Sequence, residues 1–407
     1  MRVIGLDIHR SFAVSAVLEN GQLRTGERVV LEREAVVAFV KTLRPDDEVV
    51  VEATGNTAAV VRLISPHVAK VAMANPIQVR AIAWAKVKTD KIDAGVLAKL
   101  HASGFLPEVW SADEDTQTLR RLVAERVEVV SSMTRVKNRI HAVLHANLIP
   151  PYKGHLFSKG GRQWLAAQPL PEDQGRTIAR QLNLFDQLAV DLATFDATLA
   201  RRALADPRAE RLMTIGGVNA VVAVSLLAAI GDVSRFSSPE KLVSYVGLNP
   251  SVRQSGDRPA VHGRITKQGR AHARAMLVEA AWAIAAGPGP LRAFFVRIKE
   301  RRGQQVAAVA TARKLAVLVW HLLTKDEDYT WARPALVAWK RRKLELQAGE
   351  PSRRGGNKPG PASEYSLRTV RDRERQWLGM AEEEYRRFTT AWQEQPPPSS
   401  GRAGKLN

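Results

Sequence analysis

Four acidic residues near the beginning of the chain are placed where they could bind metal ions that assist phosphoryl transfer. Asp7 and Glu52 each end a short apolar run, while Asp90 and Asp93 stand three residues apart and so share one face of a helix. Carboxylates at the ends of neighbouring strands repel one another unless cations neutralise them, and Mg²⁺ prefers oxygen ligands. Two such ions about 4 Å apart can hold the attacking and the leaving oxygen. The four acids are therefore candidate metal ligands, although single acids at strand ends are also common.

A second group of candidates is a basic stretch around a serine. Residues 253–274 include six Lys or Arg, two His and one acid, Asp257, which suits phosphate binding. The candidate nucleic-acid contacts are Arg253, Arg258, Arg264, Lys267, Arg270 and Arg274. Residues 267–270 are expected to open a helix, whose N-terminal dipole attracts phosphate. Ser255 lies before Gly256 in this stretch, and its hydroxyl could either reach a scissile phosphate or bond to its own turn.

The composition limits the class of protein. The chain has 407 residues, a net charge of +20, 45% hydrophobic residues and no Cys. These values indicate a globular protein of two or three domains and exclude a disulfide scaffold, a Cys-ligated zinc site and a thiol nucleophile. The charge is uneven, with 27 Lys and Arg against 23 Asp and Glu before residue 207 and 34 against 18 from there on. Nucleic acid is therefore the expected partner, mainly of the second half.

Neither a signal region nor a membrane span is expected. Residues 1–6 lead directly into a strand-like run, and no stretch approaches about 18 uncharged apolar residues. The sequence therefore predicts a cytoplasmic protein, and its surplus of basic charge favours association with the nucleic acid of the nucleoid.

Residues 1–110 are expected to form the α/β domain that positions the acids. The predicted elements are strands over 3–9, 12–18 and 23–30, a helix over 33–43, a strand over 49–51, a helix over 57–63, a strand over 68–74 and a helical region over 76–100. Three antiparallel strands followed by alternating helices and strands is the order of a ribonuclease-H-like sheet.

Residues 111–206 are expected to form a helical coiled-coil spacer. Apolar residues recur every three or four positions, so a helix from about 113 and a second helix over 177–204 could pair as a hairpin, with a break at 147–161. His141 and His145 stand at i and i+4, a spacing that can bind a metal, but no acidic residue lies between them. A scaffold that spaces domains or dimerises is the favoured interpretation.

Residues 207–332 are expected to form a basic, mainly α-helical domain, and residues 333–407 a basic, partly disordered tail. A tight turn over 214–219 precedes an apolar helix, in the manner of a helix-hairpin-helix. Gly216 and Gly217 supply permissive backbone in this turn, and Asn219 tolerates a left-handed conformation. Further helices are expected over 239–246, 267–286 and 305–323, and disorder over 349–362 and the last dozen residues.

Several motifs carry a resemblance to a known family. The first three are Gly5-Leu6-Asp7-Ile8-His9, Val51-Glu52-Ala53-Thr54-Gly55 and Lys88-Thr89-Asp90-Lys91-Ile92-Asp93-Ala94. In order and spacing they resemble the N-terminal signatures of the DEDD transposases of bacterial insertion sequences, the insertion-sequence one-ten family. The C-terminal transposase domain of that family is matched by Phe236-Ser237-Ser238-Pro239, Val246-Gly247-Leu248-Asn249-Pro250, Gln254-Ser255-Gly256 and Arg264-Ile265-Thr266-Lys267-Gln268-Gly269.

The resemblance implies a role for each group of residues. The N-terminal domain would resemble the RuvC resolvase, and its metal-binding tetrad would be Asp7, Glu52, Asp90 and Asp93. Two Mg²⁺ ions, for which Mn²⁺ can substitute, would activate or position the nucleophile. That nucleophile would be Ser255, with Ser251 as the second candidate. The residues that would neutralise charge in the transition state are Arg253, Arg258 and Arg264.

The resemblance also implies an activity. A DNA transposase or recombinase of this kind cuts and rejoins strands without a high-energy cofactor, through a 5′-phosphoserine link and a circular or junction-like intermediate. It would act as a homodimer or homotetramer on element ends and target DNA, and some relatives choose targets through a bridge RNA. The resemblance covers residues 1–323, with Gly216-Gly217-Val218-Asn219 where the family usually has a Pro-Gly-Ile-Gly-like turn. The tail carries no family signature.

Three other interpretations are open at this point. One is a junction-resolving endonuclease that uses metal-activated water and has no role for Ser255. Another is a relic that binds nucleic acid without catalysis, against which the presence of all four acids and the Gln-Ser-Gly motif argues. The third is an ATP-using sugar kinase or actin-like protein, which needs glycine and threonine after the aspartate, where this chain has His9-Arg10-Ser11.

Overall fold

A computed structural model describes residues 1–83, 89–256, 258–351 and 361–394. The chain divides into two compact units, 1–113 and 114–407. Several sequence predictions lie outside the described residues: Lys88 of the third motif, Asp257 of the basic stretch, most of the disorder predicted over 349–362, and the last dozen residues. The finer predicted boundaries at 110, 206 and 332 stay predictions.

The first unit is a six-stranded mixed sheet with helices on both faces. Its strands are β1 (Arg2–Ile8), β2 (Phe12–Glu19), β3 (Gln22–Val30), β4 (Glu48–Glu52), β5 (Lys70–Ala74) and β6 (Glu108–Val109). Its helices are α1 (Arg33–Val40), α2 (Thr57–Ile64), α3 (Pro76–Ile82) and α4 (Asp90–Ala102). The strand order is β3-β2-β1-β4-β5-β6, with β1, β4 and β5 parallel and the other pairs antiparallel. This agrees with the mixed α/β sheet predicted from the sequence.

Buried residues on both faces of the central strands explain why this sheet forms. On one face Ile4, Leu6 and Val51 pack with apolar residues of α1 and α2. On the other face Val3 and Val50 pack with Leu97 and Ala98 of α4. Strands covered on both sides carry nearly continuous apolar runs, which is what the sequence shows in β1 and β4.

The helical region predicted over 76–100 is not one helix. The first helix, α3, ends at Ile82 and α4 begins at Asp90, while Ala83 and Thr89 are not helical. The side chain of Thr89 accepts a hydrogen bond from the backbone N–H of Ile92 (3.4 Å), so Thr89 is the N-cap that starts α4. The acids at 90 and 93 therefore lie in a first helical turn.

The second unit is mainly helical. Its elements are α5 (Glu114–Ala146), α6 (Lys159–Ala166), α7 (Glu172–Ala205), α8 (Pro207–Met213), α9 (Ala220–Ile230), α10 (Pro239–Tyr245), β7 (Pro250–Arg253), β8 (Val261–Ile265), α11 (Ala271–Ala285), α12 (Pro290–Arg302), α13 (Gln304–Lys325), α14 (Pro334–Ala348), α15 (Pro361–Glu364) and α16 (Arg368–Glu394). The basic hairpin β7–β8, the helix α12 and the long tail helix α16 were not predicted from the sequence.

The two long helices that were predicted to pair, α5 and α7, pack against each other. An ion pair joins Arg126 to Asp196 (2.6 Å), and a small core at the far end contains Ile140 and Leu165. The short helix α6 begins within the predicted break and ends beyond it, at Ala166. His141 and His145 are exposed, and neither belongs to a described group of side chains that could hold a metal.

The tight turn over 214–219 forms, but the predicted reason for its glycines is wrong. Gly216, Gly217 and Asn219 do not have positive φ angles. Gly217 is needed because a β-carbon there would lie 2.5 Å from the carbonyl oxygen of Ala280. Asn219 is extended at φ −98° and caps α9 by accepting from Val222 N–H (2.9 Å).

One described helix is long and apolar enough to cross a membrane by length and composition, although it carries Arg313 and Lys314 and so is not the uncharged apolar stretch that the sequence was expected to lack. This is α13, half of which is buried inside the second unit. Its buried residues include Leu315 and Val319, which belong to the main core of that unit. Such burial is typical of a core helix.

The tail helix α16 is attached through two buried carboxylates. Glu374 accepts from the backbone N–H of Ala335 (2.9 Å), in the first turn of α14. Glu382 accepts from the backbone N–H of Gly289 (3.0 Å), the residue before α12, and pairs with Arg292 (2.8 Å). Each glutamate thus supplies an acceptor to the free N–H groups at the start of another helix.

Candidate metal centre and basic hairpin

Asp7 and Glu52 come together because their strands are parallel neighbours. The last registered pair between β1 and β4 joins Leu6 to Val51, so Asp7 and Glu52 follow at the same edge of the sheet. Asp7 is only 7% exposed, and Glu52 is half-buried. The sheet therefore supplies two carboxylates at one point.

The helix α4 brings the other two acids to that point. A β-carbon at Gly5 would collide with the carbonyl oxygen of Ala94, so glycine is what allows α4 to lie against β1. Gly5 precedes Asp7 by two residues and shares its face of the strand, while Ala94 directly follows Asp93. The close approach of the two backbones thus sets the distance between the strand acid and the helix acids.

His9 completes the cluster, although sequence reasoning assigned it no role. Its Nε2 lies 3.3 Å from Oδ2 of Asp7 and 3.3 Å from Oδ2 of Asp90, yet it makes no hydrogen bond with a described residue. Its ring lies 4.6 Å from that of Phe12, and its carbonyl accepts from the side-chain amide of Asn56 (2.9 Å). The one sequence signal was its position two residues after Asp7.

The loop after Glu52 is fixed by a threonine. The hydroxyl of Thr57 donates to the carbonyl of Glu52 (2.7 Å) and accepts from the backbone N–H of Thr54 (2.9 Å). Thr57 is buried, so these bonds are protected from water. Together with the bond from Asn56 to His9, they hold the ends of β1 and β4 in one arrangement.

The electrostatics of the cluster favour a bound cation. Burial raises the pKa of Asp7, the negative charges of Asp93, Glu52 and Asp90 raise it further, and His9 opposes them. Ligand atoms of Asp7, His9 and Asp90 lie within 4.8 Å of one another. Because carboxylate oxygens predominate and the charge repels itself, these residues fit a divalent cation with oxygen ligands.

Ser255 lies in the loop between β7 and β8, on the surface of the second unit. It is exposed and precedes Gly256, which has a positive φ of 57°. No described residue has a hydrogen bond with its hydroxyl. Ser251 is exposed too, but it lies within β7 at a register shift, where its hydroxyl faces the backbone of Gly263.

The base of this hairpin is locked by close backbone contacts. A β-carbon at Gly269 would collide with the carbonyl oxygen of Tyr245, and one at Gly247 would lie 2.5 Å from that of Gln268. Both glycines also have positive φ angles, 125° and 73°. The motif that contains Gly247 and the motif that contains Gly269 therefore pack backbone to backbone, and each requires its glycine.

The six basic candidates are not equivalent. Five are exposed: Arg253, Arg258, Arg264, Lys267 and Arg270. Arg274 is half-buried, and its guanidinium donates to the carbonyls of Val246 (2.9 Å) and Lys267 (3.1 Å). The helix predicted from 267 starts later, at Ala271, because Lys267 and Gly269 have positive φ angles. Residues 267–270 are thus a loop, with Arg270 as N-cap residue of α11.

Comparison with known proteins agrees with this arrangement. Residues 4–148 match a transposase model of the DEDD IS110 type, and residues 209–295 match the Transposase IS116/IS110/IS902 family. The chain therefore belongs to the IS110 family of DEDD transposases.

Named relatives come from several bacteria. The transposase for insertion sequence element IS1111A of Coxiella burnetii is 26% identical over 81% of this chain and 91% of its own length. The pilin gene-inverting protein of Moraxella bovis is 26% identical over 65% of this chain and 75% of its own. A putative transposase of Sinorhizobium fredii, y4qE, is 31% identical, and the match spans 48% of each chain, about half the length of that relative.

Proposed function

We propose that this protein is a DNA transposase or recombinase of an insertion sequence that cuts and rejoins DNA strands by metal-assisted phosphoryl transfer. The observation that carries the proposal is the placement of ligand atoms of Asp7, His9 and Asp90 within 4.8 Å of one another, with the charges of Glu52 and Asp93 also acting on Asp7, in a family of DNA-rearranging proteins. It would be a cytoplasmic protein associated with the nucleoid, and it would act as a homodimer or homotetramer on element ends and target DNA. A bridge RNA is the proposed guide for the choice of target.

The four acids are the proposed ligands of two Mg²⁺ ions, which Mn²⁺ can replace. When bound, such ions neutralise charge on the transferred phosphate and favour the alkoxide form of an attacking hydroxyl. The predominance of carboxylate oxygens around the site supports a hard cation over a soft one. His9 is the proposed neighbour that positions Asp7 and Asp90, because its Nε2 lies 3.3 Å from a carboxylate oxygen of each of them.

Ser255 is the proposed nucleophile. Its oxygen would form a bond to the scissile phosphorus as the bond to the 3′ oxygen breaks, which leaves a 3′ hydroxyl and a 5′-phosphoserine. The 3′ hydroxyl of the other strand would then form the new phosphodiester as the serine oxygen leaves. The phosphodiester count is conserved, so no high-energy cofactor is required.

The exposed basic side chains of the second unit are the proposed nucleic-acid contacts. Arg253, Arg258 and Arg264 lie in or between the strands of the hairpin that carries Ser255, where they would neutralise transition-state charge. Lys267 and Arg270 lie in the loop that locks the hairpin base. Arg274 supports that loop through its two carbonyl bonds, and its proposed contribution to nucleic-acid binding is therefore indirect.

A covalent trap tests the nucleophile. Purified protein is incubated with element-end DNA and Mg²⁺, and a denaturation-resistant protein–DNA adduct is isolated and mapped by mass spectrometry. We expect the adduct on Ser255 in the wild type, its loss in Ser255→Ala and its retention in Ser251→Ala. Full cleavage by the wild type without any adduct would instead support an endonuclease that uses metal-activated water.

A further inference from the structure

A cavity in the second unit has the size and chemistry of a nucleotide site. It has a volume of about 460 Å³ and lies between α5, the second half of α9 and the first turn of α11. Sites for small organic molecules usually have volumes of roughly 300–1,000 Å³. One wall is apolar and includes Val123, Val127 and Ala228, while Arg270 and His272 provide polar groups.

The charge around this cavity is strongly positive. Arg120 and Arg270 both line it, whereas the one acid among the lining residues, Glu128, pairs with Arg135 (2.7 Å). Burial lowers the pKa of Arg120, and repulsion from Arg270 lowers it further. Guanidinium groups that repel one another are stabilised by an anion between or beside them.

Arg270 is the member of this group that is best placed to bind an anion. Its Nε donates to the hydroxyl of Tyr245 (2.8 Å), which fixes the side chain, and the residue is exposed. No described carboxylate pairs with it. By contrast, Arg120 is anchored to the end of α9, donating to the carbonyls of Ala228 (2.8 Å) and Ala229 (3.1 Å).

A histidine lies at the other side of the cavity. Nε2 of His272 is 3.1 Å from the hydroxyl of Ser225, which is only 3% exposed. Burial lowers the pKa of His272, so the ring is neutral near pH 7 and carries one donor and one acceptor nitrogen. Such a ring can recognise the polar edge of a base.

We infer that this cavity takes one unstacked nucleotide of a nucleic-acid strand, with its phosphate on Arg270, its sugar and base against Val123 and Val127, and its base edge at His272. The inference rests on the proposed function, because it requires a second unit that binds nucleic acid. A paired and stacked nucleotide cannot enter a cavity of this size, so the ligand is a single-stranded or flipped-out nucleotide of DNA or RNA.

Photocrosslinking tests the cavity. The full chain is mixed with single-stranded DNA that contains 4-thiothymidine, or with RNA that contains 4-thiouridine, irradiated, digested and analysed by mass spectrometry. We expect crosslinks within residues 123–128 of α5. Ala124→Trp fills the cavity from an exposed position of α5, and Ala142→Trp adds the same side chain at an exposed position of α5 outside it.

The expected result is that Ala124→Trp weakens strand binding by about tenfold, equivalent to about 1.4 kcal/mol, and removes the α5 crosslinks, whereas Ala142→Trp changes neither. If Ala124→Trp does not fold, as judged by its melting curve, Arg270→Gln replaces it. This variant removes the proposed phosphate contact, and it should also weaken strand binding and reduce the α5 crosslinks relative to Ala142→Trp. The strand that crosslinks to α5, DNA or RNA, identifies the source of the nucleotide.

Three outcomes overturn the inference and differ in what else they affect. If wild type binds a strand but crosslinks only outside α5, or crosslinks equally in Ala124→Trp, the cavity is not a nucleotide site and the proposed function stands. If wild type binds duplex DNA of an element end but neither single strand in a mobility-shift assay, the inference fails and the proposed function stands; if it binds none of the three, the proposed function fails together with the cavity.

Discussion

The carbonyl oxygen of Ala94 occupies the space where a side chain on Gly5 would begin. This contact lets α4 lie directly on β1, and the acids that flank it, Asp7 and Asp93, interact strongly enough for Asp93 to raise the pKa of Asp7. The glycine of the first motif is thus explained by the close approach of the two backbones, which also brings Asp7 within the influence of the charge on Asp93.

Replacing Gly5 by Ala is expected to destabilise the first unit by about 2 kcal/mol, because the new methyl group must displace the backbone of α4. Cleavage in Mg²⁺ should fall as well, since α4 carries Asp90 and Asp93. Urea unfolding and a strand-cleavage assay measure the two effects. Gly55→Ala is the matched control, because no atom lies within 4 Å of the position of its β-carbon. Equal stability of the two variants would show that α4 can move without cost.

Asp7→Asn is expected to abolish the response to metal while making the protein more stable without it. The substitution removes one of the repelling carboxylates. In EDTA the free energy of unfolding of the variant should therefore exceed that of the wild type by about 1 kcal/mol. Added Mg²⁺ or Mn²⁺ should stabilise the wild type and leave the variant unchanged. Cleavage should drop by about a thousandfold. A variant that keeps metal-dependent stabilisation and cleavage would remove Asp7 from the metal centre.

Much of the first unit could be predicted from the sequence, because its strands are short apolar runs and its acids directly follow them. His9 could not be assigned, since nothing in a linear pattern places a histidine between Asp7 and Asp90. The split of the region 76–100 was also missed, although Thr89 is an N-cap residue that carries that information.

The second unit was harder to predict because its polar residues form their bonds over long separations. Glu374 and Glu382 appear in the sequence as charges of a polar tail, yet they are buried acceptors at the starts of α14 and α12. Gly216 and Gly217 suggested a turn that needs permissive backbone, whereas close packing against α11 accounts for Gly217. Only the neighbours in space distinguish these cases.

Arg270→Gln is expected to weaken nucleic-acid binding and to reduce its dependence on salt. Loss of one phosphate contact should decrease the slope of log affinity against log salt concentration by about 1. Fluorescence anisotropy with a labelled strand at several salt concentrations measures that slope. Arg121→Gln removes an exposed arginine that already pairs with Glu114 (2.8 Å), and its slope should match the wild type. Identical slopes for all three proteins would mean that Arg270 does not contact phosphate.

The turn over 214–219 depends on a lysine from the tail. Nζ of Lys340 donates to the carbonyls of Met213 (2.7 Å), Ile215 (2.9 Å) and Val218 (2.8 Å). We expect Lys340→Met to lower the free energy of unfolding at pH 7 by about 2 kcal/mol, because three carbonyls lose their donor. Urea unfolding measures the loss, and Lys343→Met, at an exposed position of the same helix, should leave stability within about 0.5 kcal/mol.

The same lysine should make stability depend on pH. Burial lowers the pKa of Lys340 from 10.5 to about 7, and nearby Arg333 contributes to the shift. Between these two values the unfolded chain holds the proton and the folded chain releases it, which leaves a neutral amine with two N–H donors for the three carbonyls, so the free energy of unfolding rises with pH. From pH 7 to pH 9 this group alone should add about 2 kcal/mol in the wild type and nothing in Lys340→Met. Urea unfolding at both pH values measures the difference, and parallel pH profiles of the two proteins would show that Lys340 keeps its proton in the folded state.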